Sequence, residues 1–85
     1  MIKYNNPEKR IYSLNCAAYI MYITSIKPQF IEDENSKGIF YCLFEECQEV
    51  DDAIKKYRTD DVYVNLHRFL NIFKDFKGEI YKQRQ

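Results

Sequence analysis

The groups capable of covalent or acid–base chemistry in this chain are few and far apart. His67 is the one histidine, and the thiols are Cys16, Cys42 and Cys47. A cysteine nucleophile needs an imidazole within hydrogen-bond reach, and no cysteine lies near His67 in sequence. Flanked by Leu66 and Arg68, His67 reads as a surface or capping histidine. No two candidate ligands have the clip spacing of a zinc site. The acidic clusters Glu32-Asp33-Glu34, Asp51-Asp52 and Asp60-Asp61 lack the alternation of a calcium loop; they read as a turn, a solvated helix face and a helix stop. With glycine only at Gly38 and Gly78, no glycine-rich loop is available to cradle phosphates. The expectation is a protein with no catalytic residue, cofactor or metal of its own.

Two stretches carry binding chemistry instead. Lys37-Gly38-Ile39-Phe40-Tyr41-Cys42-Leu43-Phe44 approximates the octamer with which RNA-recognition motifs stack bases on sheet aromatics. In that reading Tyr41, and Tyr12 of the partner segment Arg10-Ile11-Tyr12, stack on single-stranded nucleic acid while Lys37 meets a phosphate. The match departs where Ile39 stands at an aromatic position, Phe40 replaces a small residue, and a helix stands in place of a fourth strand. Any buried aromatic strand produces the same pattern, and the core reading is preferred. The second stretch is near the C-terminus, where Lys74, Lys77, Tyr81 and Arg84 share one helical stripe. It suits phosphates or an acidic protein surface, although cations at a helix end also suit the negative pole of the dipole.

These residues need a scaffold, and 85 residues supply one domain with one core. Eight tyrosines and six phenylalanines exclude a disordered chain, and 13 cations against 13 anions argue against a protein that coats duplex DNA. The charge is uneven: residues 1–44 carry +5 and −4, residues 45–61 carry +3 and −7, and residues 62–85 carry +5 and −2, giving blocks of +1, −4 and +3. The start has no apolar signal segment, and the run from Ile11 to Ile26 is too short and polar to span a bilayer. An odd number of cysteines without C-x-x-C pairs fits a reducing cytoplasm.

Along the chain, residues 1–9 are expected to form a flexible arm, with residues 10–85 as a single α+β domain. Arg10-Ile11-Tyr12 is a short strand. Ser13 caps a helix over Leu14 to Thr24 that is apolar nearly all round, the mark of a helix buried between layers; it must end before Pro28. Gln29-Phe30-Ile31 is a second strand, Glu32 to Gly38 a polar turn with Gly38 at positive φ, and Ile39 to Phe44 a third strand. A second helix follows Glu45-Glu46 with Cys47, Val50, Ala53, Ile54 and Tyr57 inward. After an extended link at Val62-Tyr63-Val64, Asn65 caps a last helix with Leu66, Phe69, Leu70, Phe73, Phe76 and Ile80 on one stripe. The order β-α-β-β-α-α gives a small two-layer domain, a three-stranded sheet packed by helices.

Helices covering one face of such a sheet leave Ile39, Tyr41 and Leu43 on the other, facing solvent unless the chain folds over them. An exposed apolar patch of this kind marks a partner surface, and a two-fold axis would let it cover itself in a homodimer.

The segments Ser13-Leu14-Asn15-Cys16-Ala17-Ala18-Tyr19-Ile20 and Ile39-Phe40-Tyr41-Cys42-Leu43-Phe44-Glu45-Glu46, with Tyr57, Val64-Asn65, Phe69, Phe76-Lys77 and Ile80-Tyr81, resemble a family of small uncharacterised domains from Firmicutes and their phages. The resemblance spans about residues 10–81, with Cys16 and Phe76 at positions that are usually aliphatic. It implies the fold and a bacterial or mobile-element gene, and brings no reaction, cofactor or catalytic residue. The expectation is thus a cytoplasmic, non-enzymatic interaction module. It would bind a host or phage protein, or itself, through Ile39, Tyr41 and Leu43 on the sheet and Lys74, Lys77, Tyr81 and Arg84 on the last helix. Single-stranded RNA held by Tyr12, Lys37 and Tyr41 is the alternative.

Overall fold

The apolar run around Tyr41 becomes the middle strand of a three-stranded sheet, the one position where a strand has a partner on both edges. A computed structural model describes residues 8–84. The elements are β1 (Glu8–Ile11), α1 (Leu14–Thr24), β2 (Gln29–Glu32), β3 (Phe40–Glu45), α2 (Gln48–Thr59) and α3 (Leu66–Arg84). Both outer strands run antiparallel to β3, in the order β1-β3-β2. Register places Ile11 and Phe30 on either side of Cys42, and Arg10 and Gln29 on either side of Leu43. Because successive side chains alternate between faces, Ile11, Phe30, Cys42 and Phe44 turn to the helices and are buried. Arg10, Ile31, Tyr41 and Leu43 turn to the rear.

The helical layer is built around α1. Its residues Cys16 to Ile20 are buried without a break, and it packs against the sheet, α2 and α3. A helix enclosed through its middle has no use for a polar stripe there, and Ala17 and Ala18 keep its backbone close to its neighbours. Its ends are marked chemically. Ser13 Oγ accepts the Cys16 amide at 3.2 Å, and Ser25 turns into the left-handed region at φ 63° with its amide donating to the Met21 carbonyl at 2.8 Å. α2 buries Val50, Ala53 and Ile54. α3 buries Phe76, whose ring meets Phe30 edge-on at 5.0 Å, and packs Phe69, Ile72, Phe73 and Ile80 against the core. Asn65 Oδ1 accepts the Arg68 amide at 3.0 Å, capping α3 as expected.

Several strand boundaries and one helix face differ from expectation, β2 and β3 each running one residue further, to Glu32 and Glu45. β1 starts at Glu8 instead of Arg10 and ends before Tyr12, because pairing with Phe44 and Glu45 fixes an edge strand that hydrophobicity does not mark. Lys9 thus belongs to the sheet and reaches Asp51 Oδ1 of α2 at 3.8 Å; the rest of the expected arm, residues 1–7, lies outside the described residues. β3 starts at Phe40 because Ile39 closes the preceding turn, its amide donating to Ser36 O and its carbonyl accepting from the Asp33 amide. Gly38 takes φ 87° in that turn. On α3 the inward stripe uses Ile72 and leaves Leu66 and Leu70 exposed.

Candidate interaction surface

Among the described residues the rear face of the sheet carries no helix, yet it is not the open patch that alternation along β3 suggests. Tyr41 is only 5% exposed. The Tyr12 ring lies 5.3 Å from its own, centroid to centroid, and the Arg10 guanidinium sits 4.7 Å from the ring centre, a cation–π geometry. Both covering side chains are fastened beyond the far edge of β3. Tyr12 Oη donates to Asp33 Oδ2 at 2.9 Å, and Arg10 Nη1 lies 3.5 Å from both Glu34 carboxylate oxygens. Asp33 Oδ1 in turn accepts the Asn35 amide at 2.9 Å. That amide first, and the Tyr12 hydroxyl second, hold the Asp33 carboxyl below its ordinary pKa. The same bond to Asp33 pushes the Tyr12 phenol up.

The expectation that Tyr41 faces solvent is therefore corrected: side chains from β1 and the β2–β3 turn roof it over. Leu43, flanked by Arg10 and Gln29, is half-buried, and Ile39 stays half-exposed at the turn. With its ring covered, Tyr41 offers no open face on which a base could stack, while Tyr12 remains about half exposed with its hydroxyl engaged. Lys37 is exposed in a turn it shares with Glu32, Asp33 and Glu34, so its charge stands among three carboxylates.

The thiols are separated from His67 in character as well as in sequence. Cys16 and Cys42 are buried and Cys47 is half-buried, whereas His67 is exposed on the first turn of α3. Burial pushes the Cys16 thiol up, against a smaller opposing pull from Arg58, and pushes Cys42 up to about 12. A thiol at that value is a small hydrophobe at neutral pH. Among the described residues no three His, Cys, Asp or Glu side chains gather as they would around a metal ion, and no helix is long and apolar enough to cross a membrane.

The open apolar surface lies on α3. At 100° per residue, Leu66, Leu70, Lys74, Lys77, Tyr81 and Arg84 fall within about a quarter-turn of one another. They lie beside the inward stripe of Phe69, Phe76 and Ile80. Leu66 is 66% exposed, Leu70 49% and Tyr81 65%. Tyr63, in the link just before the helix, is also exposed. No carboxylate falls on this stripe; Asp75 and Glu79 point elsewhere on the helix. Lys77 Nζ lies 5.5 Å from the Phe73 ring centre, and neither Lys74 nor Lys77 forms an ion pair among the described residues. Arg84 behaves differently. Its Nη2 donates to the Gly38 carbonyl at 2.8 Å, and its guanidinium lies near the Phe40 ring, so it fastens the end of α3 to the β2–β3 turn.

The structure thus splits the expected surface. Lys74, Lys77 and Tyr81 stay together and open, while Arg84 and Tyr41 are spent within the fold. Leu66 and Leu70 join the open stripe. The sequence pattern places both on the core-facing stripe; their i, i+4 spacing with Lys74 is the signal that sets them beside it instead. A family model described as a domain of unknown function (DUF5659) matches residues 6–82. No curated protein and no solved structure matches the chain.

Proposed function

This chain belongs to the DUF5659 family of domains of unknown function, and we propose that it works as a non-enzymatic interaction module that docks a protein through the outward stripe of α3. The observation that carries this reading is the pairing on one helix face of three exposed apolar side chains, Leu66, Leu70 and Tyr81, with the cations Lys74 and Lys77, which form no ion pair among the described residues. Large apolar side chains gathered on a surface mark interfaces. A cationic stripe without carboxylates selects a partner that is apolar at its centre and acidic around it. The two leucines one and two turns before the lysines favour a protein over nucleic acid, whose backbone gives them nothing to pack on. The proposed setting is the cytoplasm of a bacterium or of a phage-infected cell; three free thiols and the resemblance to domains of Firmicutes and their phages support it.

A photo-crosslinking residue placed at position 70, with one at Asp75 on another face of α3 as control, tests the reading in the native cell. Protein adducts are expected from position 70 and not from position 75, and their loss is expected on combining K74E and K77E. Equal labelling at the two positions, or adducts with RNA alone, would overturn it.

A further inference from the structure

We propose that the occupant of the α3 stripe is a second copy of this chain, received in the groove between α1 and α2. The inference rests on the docking reading above and names its partner. The groove, of about 330 Å³, is lined by Ile23, Thr24, Glu49, Asp52, Ala53 and Lys56. Ile23 stands about half exposed in it, and among the described residues Asp52 is engaged by Gln48 Nε2 of its own helix and by no cation. An apolar floor beside two carboxylates is the complement of a leucine-and-tyrosine stripe beside two lysines. Lys56 shares the groove, but it is one cation in a segment, residues 45–61, with a net charge of −4.

Within one copy α3 packs on α1, with Phe69, Phe73 and Phe76 turned to the core, and Lys74 and Lys77 form no ion pair among the described residues. A symmetric α3-to-α3 pairing would set lysines against lysines, so the charges select a head-to-tail contact, which closes into a ring or continues as a chain. Electrostatics of this exposed kind weaken as salt rises.

The test is sedimentation and light scattering of the purified chain over a wide concentration range, at low and at high salt. The average mass is expected to at least double at low salt and to return to the monomer value at high salt. The pair K74E/K77E and the pair E49K/D52K should each remain folded by circular dichroism and stay monomeric. Mixed together they should associate again, because each then supplies the charge the other has lost. Association that persists in both variants, or a mixture that stays monomeric, would overturn the inference. So would a wild-type chain that is monomeric throughout. In that last case, protein adducts from position 70 in the cell would keep the docking reading and discard only the second copy; their absence would discard both.

Discussion

Tyr12 Oη and Asp33 Oδ2, 2.9 Å apart, join the two outer strands' ends across the back of the central one. β1 and β2 share no backbone hydrogen bond, because β3 lies between them. This side-chain bond and the Arg10–Glu34 pair therefore make the connection over Tyr41. Both pairs are exposed, so they act by keeping a ring covered more than by Coulomb energy.

The Asp33 carboxyl is expected to titrate below the ordinary value of 3.8. A depressed carboxyl contributes stability that is complete above its unfolded value and is lost as pH falls through the lower folded value. Side-chain carbon shifts followed by NMR should show the low midpoint. Replacing Tyr12 by Phe should raise it part of the way, since the Asn35 amide remains. A midpoint unmoved by Y12F would show that the hydroxyl contributes nothing.

Phe76 is the largest anchor of α3 in the core, edge-on to Phe30. Truncating it to alanine should cost about 3–5 kcal/mol, a large part of the ~5–15 kcal/mol that holds a small domain together. Urea titration should place F76A close to unfolding in water, with F76L retaining a clear transition.

Ser25 holds a left-handed backbone at φ 63° without the freedom of glycine. S25G should stabilise the fold by about 1 kcal/mol, and S25V should destabilise it. The cap at the other end of α1 gives the opposite sign: S13A removes the acceptor of the Cys16 amide and should cost about 1 kcal/mol, while S13D should hold stability near the parent. Thermal melts of the four variants check both ends.

The three thiols should separate in an alkylation time course at mildly alkaline pH. Half-buried Cys47 is expected to react first. Cys42, buried and pushed up to about 12, should react only after denaturant is added, with Cys16 close to it in behaviour. Mass spectrometry of peptides gives the order; early labelling of Cys42 would contradict its burial.

Much of this architecture can be read without coordinates, and the places that cannot share a cause. Ser13, Asn65 and Gly38 announce their roles because a cap or a positive φ is a local requirement. The segment Leu14 to Thr24, apolar nearly all round, announces a buried helix because nothing else accommodates it. By contrast, the fate of Tyr41 depends on which residues of β1 stand beside it. Alternation along β3 assigns it to the rear face correctly, but the cover comes from Arg10 and Tyr12, set by a register that no single strand encodes. Likewise, Leu66 and Ile72 are equally apolar, and only the angle at which α3 meets α1 and the sheet decides which turns inward.

The enclosure of α1 also bears on how the molecule opens. The middle of this helix, Cys16 to Ile20, faces no solvent, so its amides cannot exchange with water through modest fraying of a surface segment. Past the first turn, the amides of Ala18 to Ile20 should become accessible only when the sheet and both flanking helices separate together, which makes their exchange a direct gauge of the global unfolding equilibrium. Sequence change within this segment would then register as a change in the survival of the whole domain.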